Sequence, residues 1–160
     1  MREKGFSLIE ILVVVTIFAI LGILTTRAIL LTLQGSKKSE SLVKVRENLD
    51  YSIGVMERNL RNADSLGTCS ASIVNYVDQD GNPASFSCVG IGGADPYVAS
   101  GSARLTSSAV KITACSFVCN LGVSANPSTV NISITAQDAT AVGLQNATVT
   151  TTTEVSLRNY

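Results

Sequence analysis

The sequence predicts an α+β chain: a long N-terminal helix, half apolar and half amphipathic, packed on an antiparallel β-sheet domain. Three observations predict it. From Phe6 to Thr26 a single charge, Glu10, occurs in 21 residues; residues 37 to 64 then hold 11 charged side chains in 28; and from Ser65 to Tyr160 only eight charges occur in 96, among abundant Ser, Thr, Asn, Ala and Gly. A chain of 160 residues has room for one small domain and an appendage, and a second independent core is not expected.

The apolar run comes first. As a helix rising about 1.5 Å per residue, Phe6 to Thr26 extends roughly 31 Å, about the thickness of a bilayer's hydrocarbon core. A secretory signal peptide has a shorter apolar stretch closed by a small-residue cleavage site, and here the run reaches Thr25-Thr26-Arg27 without one. A buried core helix is the other reading, but a helix apolar all round needs a larger protein to cover it. A membrane span is therefore expected.

After Gly35 the pattern becomes amphipathic. Leu42, Val45, Leu49, Ile53, Met56, Leu60 and Ala63 follow one another by steps of three or four, which places them on one helical face. Lys44, Arg46, Glu47, Asp50, Glu57, Arg58 and Arg61 fall mainly on the remaining, solvated surface. A coiled-coil seam fits the stripe as well, but a β-rich remainder in need of a cover favours packing on a sheet. No proline interrupts Phe6 to Leu66, so residues 6–35 and 36–66 are expected to be two halves of one helix, weakest near Gly35.

The β-rich part, residues 67–160, reads as several strands. Ser72 to Val77 and Ala84 to Val89 flank the turn-forming Asp78-Gln79-Asp80-Gly81-Asn82-Pro83 and are expected to form a hairpin. Val110 to Val118, Thr129 to Ala136 and Ala147 to Leu157 supply three more strands. Ala94 to Ser108, with Pro96 and Gly101, is expected to be loop.

The four cysteines, Cys69, Cys88, Cys115 and Cys119, all follow the span. An even number on one side favours two disulfides in an oxidising space, with Cys69–Cys88 and Cys115–Cys119 preferred because both loops close locally. A four-cysteine zinc site is the alternative, though its gaps of 18 and 26 residues are unremarkable for a metal. Asp78-x-Asp80-Gly81-Asn82 has calcium-like spacing, but it lacks the glycine position and final Glu of an EF-hand loop, so a plain turn is favoured. Gly90-Ile91-Gly92-Gly93 has no helix pattern or Lys after it and reads as loop, not a phosphate cradle.

Composition excludes several functions. Lys plus Arg and Asp plus Glu number 12 each, which gives no reason to expect nucleic acid. His is absent and the serines lack a nucleophile elbow or a paired base, so no enzyme is expected, and no cofactor or metal.

One motif points to a family. Lys4-Gly5-Phe6-Ser7-Leu8-Ile9-Glu10-Ile11-Leu12 closely resembles the type III signal of type IV prepilins and type II secretion pseudopilins: a short basic leader, Gly, Phe, three more residues, then Glu and an apolar run. The amphipathic extension to Leu66 is similar to the family's second half-helix. The ending Thr150 to Asn159 resembles the last strand of larger minor pilins and pseudopilins.

That resemblance implies cleavage between Gly5 and Phe6 by a prepilin peptidase, loss of leader residues 1–5, and N-methylation of Phe6. It implies an inner-membrane precursor with residues 27–160 outside the cytoplasm, an orientation the cysteines also favour. The precursor then joins other pilin or pseudopilin subunits in a filament through an inner-membrane assembly platform. Glu10 is expected to pair with the Phe6 amine of a neighbouring subunit, because a carboxylate in an apolar span costs roughly 2.5 to 3.5 kcal/mol and needs a partner. Snorkelling or protonation is the other reading of Glu10. A second function class is a single-pass anchored extracytoplasmic binding domain that never polymerises.

Overall fold

The computed structural model describes residues 7–122, 127–141, 143 and 146–158. The chain divides into two compact units, Met1–Lys37 and Lys38–Tyr160. One helix, α1 (Leu8–Arg61), contributes to both. It runs unbroken through Gly22, Gly35 and Gly54. Each glycine costs up to about 1 kcal/mol relative to Ala, a small loss beside the propagation of a helix of 54 residues.

The helix ends five residues earlier than expected. Asn62 N–H still reaches the Arg58 carbonyl (3.3 Å), but Asp64 N–H already donates to Val77 O at 2.9 Å, across a strand ladder. Ser65–Ser70 is then strand β1, and Leu66 pairs with Tyr76. Arg58 and Arg61 occupy the last helical turn, where cations are favoured by the exposed carbonyl ends.

Among the described residues of Lys38–Tyr160 the strands form two antiparallel sheets, where a single sheet was expected. The first runs β1, β2 (Ile73–Val77), β3 (Pro83–Val89), β4 (Tyr97–Ser100) and β5 (Ala103–Arg104) in sequence order. The second is β6 (Val110–Asn120), β7 (Thr129–Asp138) and β8 (Thr148–Ser156). The β2–β3 hairpin matches expectation. Strands β4 and β5 overturn the loop expected at 94–108. Pro96 stands one residue before β4, and Gly101, at φ 58°, turns the chain back into β5.

The helical stripe meets both sheets in one core. Val45, Leu49, Met56 and Leu60 are fully buried, together with Val74, Phe86 and Val98 of the first sheet and Val130, Ile132 and Ile134 of the second. Leu42, at the start of the expected stripe, is only half-buried, while Ser41 and Ser52 are buried beside it. Strand β7 alternates strictly, so after Val130, Ile132, Ile134 and Ala136 the next inward position is Asp138. Its carboxylate takes Lys44 Nζ at 3.3 Å. Its Oδ1 accepts from Thr140 N–H (2.8 Å) and Thr140 hydroxyl (2.7 Å). Burial alone raises the pKa of this carboxyl, but the Thr140 and Lys44 hydrogen bonds, with the Lys44 charge, outweigh it and lower the pKa to about 2. Lys44 and Glu57 are thus corrections to the expected solvated face: Lys44 bridges to β7, and Glu57 accepts the Thr153 hydroxyl of β8.

Strand β6 is the seam between the sheets. A bulge between Ile112 and Ala114 shifts its register, so Val110 and Ile112 point inward before it and Cys115, Phe117 and Cys119 after it. Phe117 N–H donates to Ala71 O at 3.1 Å. Two disulfides join the same strand to the first sheet, Cys69–Cys119 and Cys88–Cys115. The expected local pairing is therefore wrong. Cys115 and Cys119 lie on one extended strand, about 13 Å apart at 3.3 Å per residue, whereas a disulfide needs Cα atoms within about 7 Å. Cys69 on β1 and Cys88 on β3 are likewise held apart by β2, two strand spacings or about 9.6 Å. With every sulfur bonded, the four-cysteine zinc alternative has no thiolate to offer.

Candidate assembly segment

In the unit Met1–Lys37, Ser7 opens the helix. Its carbonyl accepts the N–H of Glu10 at 3.0 Å and of Ile11 at 3.3 Å, and serine is a favoured residue at this position. Glu10 follows in the first turn, three residues after Ser7, the spacing of a capping box. Uncompensated N–H groups at this end favour a carboxylate. The Glu10 side chain is exposed, and its carboxylate has no ion pair or hydrogen bond among the described residues. Gly5 and Phe6, the expected cleavage and methylation positions, lie outside the described residues.

From Leu8 onward the helix presents an unbroken apolar surface. The most apolar stretch of 18 residues has a mean hydropathy of 2.8, and none of it is buried. Leu8, Phe18 and Leu31 are 83%, 74% and 68% exposed, too much apolar surface for a soluble helix to leave uncovered. The polar side chains within it are already satisfied. Thr16 hydroxyl donates to Val13 O (2.8 Å), Thr25 to Leu21 O (2.9 Å), Thr26 to Gly22 O (2.8 Å) and Thr32 to Ala28 O (2.9 Å). Each hydroxyl can thus enter lipid, or a helix bundle, without losing a partner. The next charge after Glu10 is Arg27, 17 residues on or about 26 Å along the axis.

Sequence reading found Glu10 and the span but missed two features. The place of Ser7 as the residue that opens the helix was present in the Ser-x-x-Glu spacing. The internal bonding of the four threonines was signalled by their places inside a helical pattern.

Elsewhere the structure decides two motifs. Asp78 Oδ1 accepts the N–H groups of Asp80 (2.9 Å) and Asn82 (2.8 Å), with Gly81 at φ 79°, so the calcium-like run is a hairpin turn that uses its own carboxylate. Gly93 N–H donates to Gly90 O at 2.8 Å, closing a tight turn in the glycine run. Among the described residues no group of three or more His, Cys, Asp or Glu could hold a metal ion.

Residues 1–26 match the family described as the prokaryotic N-terminal methylation motif. No curated protein and no solved structure matches the chain.

Proposed function

We propose that this chain, whose residues 1–26 match the prokaryotic N-terminal methylation motif of prepilin-type signals, is a type IV pilin-like protein, a minor structural subunit of a type IV pilus or pseudopilus and not an enzyme. The observation that carries the reading is the coincidence of the signal with a helix whose apolar surface is wholly uncovered from Leu8 to Leu33. Prepilin peptidase removes residues 1–5 by cutting between Gly5 and Phe6, and the new Phe6 amine is methylated. The helix survives the cut, anchors the precursor in the inner membrane, and passes from lipid into the packed centre of a filament at an assembly platform. Both surroundings are apolar, so transfer costs the Leu8–Leu33 surface little.

Glu10 gives the transfer its direction. The Phe6 amine of a neighbour, one helical turn out of step, comes level with this carboxylate. In a low dielectric an unpaired charge is strongly disfavoured, so the pair selects a staggered register over flush packing. A minor role is supported by the elaborate outer unit, two sheets clasped by two disulfides. Glu10 itself points to a place below the tip or along the shaft, where an upper neighbour exists to be paired.

Intact mass spectrometry of membrane-derived protein tests the processing step. The expected mature chain begins at methylated Phe6, and Gly5→Val accumulates precursor. Retention of Met1 in cells with active prepilin peptidase overturns the reading. If the chain proves the most abundant protein in sheared filaments, the minor role is wrong.

A further inference from the structure

Within the unit Lys38–Tyr160, the end of α1 and the β2–β3 turn flank a half-open cavity of about 420 Å³, lined by Arg58, Asn59, Asn62, Tyr76, Asp78, Gln79 and Asp80. That is the small end of the usual range for small-molecule sites. Its lining is polar throughout. Tyr76 is only 5% exposed, and its ring stacks on Phe86 in the core with centroids 5.3 Å apart. The hydroxyl end is therefore the part of Tyr76 left to face the cavity. The hydroxyl makes no protein hydrogen bond among the described residues and is open to solvent, not sealed in the core. Burial pushes the Tyr76 pKa up, and the Asp78 carboxylate adds to the shift, so the group stays protonated and able to donate.

The other groups around it are solvent-facing and available to a ligand. Arg58, Asn59, Asn62, Gln79 and the Asp80 carboxylate make no side-chain hydrogen bond among the described residues. Asp78 commits Oδ1 to the turn and keeps Oδ2. Donors (Arg58, the amide NH2 groups, Tyr76) thus alternate with acceptors (Asp78, Asp80, the amide oxygens). One positive and two negative side chains oppose an anion. A group that donates and accepts at once fits every such neighbour, and hydroxyl is that group.

We propose that this cavity binds a neutral, hydroxyl-rich ligand, one sugar ring of a neutral glycan, with the Tyr76 hydroxyl as its innermost contact. The site is independent of filament assembly, since none of its residues lies in the segment that carries the methylation signal.

The test uses the full chain in micelles of a detergent without a sugar headgroup. Saturation-transfer NMR is recorded with glucose, galactose, mannose and N-acetylglucosamine, with their methyl glycosides, and with glucose 6-phosphate. At least one neutral sugar is expected to show transfer and glucose 6-phosphate none. A methyl glycoside that binds like its parent sugar identifies a glycan chain as the source, and one that fails to bind identifies the free sugar. Tyr76→Phe is expected to weaken binding about tenfold, the worth of one hydrogen bond, while leaving the melting temperature unchanged or raised. Asp80→Asn, at an exposed turn, is expected to weaken binding with the fold intact. The proposal is overturned if no neutral sugar shows transfer or if the phosphate binds as well as the neutral sugars. It is also overturned if Tyr76→Phe binds like wild type, or if that variant loses stability, which means that the hydroxyl already has a structural partner.

Discussion

Glu10 sits where two energies can be compared. At the first turn of α1 the helix end favours its charge by about 0.3–1 kcal/mol, while an apolar surround costs it roughly 2.5 to 3.5 kcal/mol. The helix end cannot cover that deficit, which supports the proposed pairing with a neighbour's Phe6 amine. Glu10→Leu is accordingly expected to insert and to be cleaved normally but to enter filaments poorly, as measured by its ratio in sheared and membrane fractions. Equal ratios for variant and wild type refute the charge pairing. Asp138 is the opposite case, a carboxylate whose partners are all in place. Its pKa is lowered in the folded state to about 2, so its contribution to stability is full above the unfolded carboxyl pKa near 4 and is lost as pH falls through about 2. Melting temperature measured from pH 6 to pH 2 should drop across that window, and Asp138→Asn should flatten the drop while costing about 2 kcal/mol at neutral pH. Sequence separated these two residues unevenly. Glu10 is legible as the one charge in an apolar run, whereas Asp138 reads as an ordinary surface residue until the alternation of β7 turns it inward toward Lys44.

Among the elements, the long ones with a clean period were the most legible. The helix stripe from Val45 to Leu60, the alternation of β7 and the β2–β3 turn all follow from spacing, because local chemistry and burial agree there. Strand β1 was lost to the expected helix, since Leu66 continued the stripe's spacing and only the ladder bond from Asp64 to Val77 shows that the chain has changed structure. Strands β4 and β5, of four and two residues, are too short to carry a period. Strand β6 hid its parity change in a bulge, and with it the cysteine pairing, because sequence distance says nothing about which strands lie side by side. Non-reducing peptide mapping should link the Cys69 peptide to Cys119 and the Cys88 peptide to Cys115. Removing either pair by double Ser substitution should cost about 2–4 kcal/mol in denaturant unfolding. A Cys69–Cys88 peptide would falsify the seam role of β6.

At the scale of the molecule, the methylation signal was readable because it is local, and the two-sheet arrangement was not, because it depends on pairings distant in sequence. The two bridges have a further consequence. The 88–115 loop lies inside the 69–119 loop, so the cross-links are nested, and β2, β3, β4 and β5 all fall within the outer one. In the proposed filament a subunit carries tension, and the sequence separation of 50 residues corresponds to roughly 170 Å of extended chain. None of that contour length can be paid out while the outer bridge is closed. Single-molecule pulling between residues 62 and 158 should show an unfolding step about 160 Å longer after reduction than before, the difference being the stored loop less the 6.3 Å already spanned between the Cα atoms of Cys69 and Cys119. Oxidised, the first sheet behaves under load as a closed link: it can be peeled from the helix, but it cannot be unravelled.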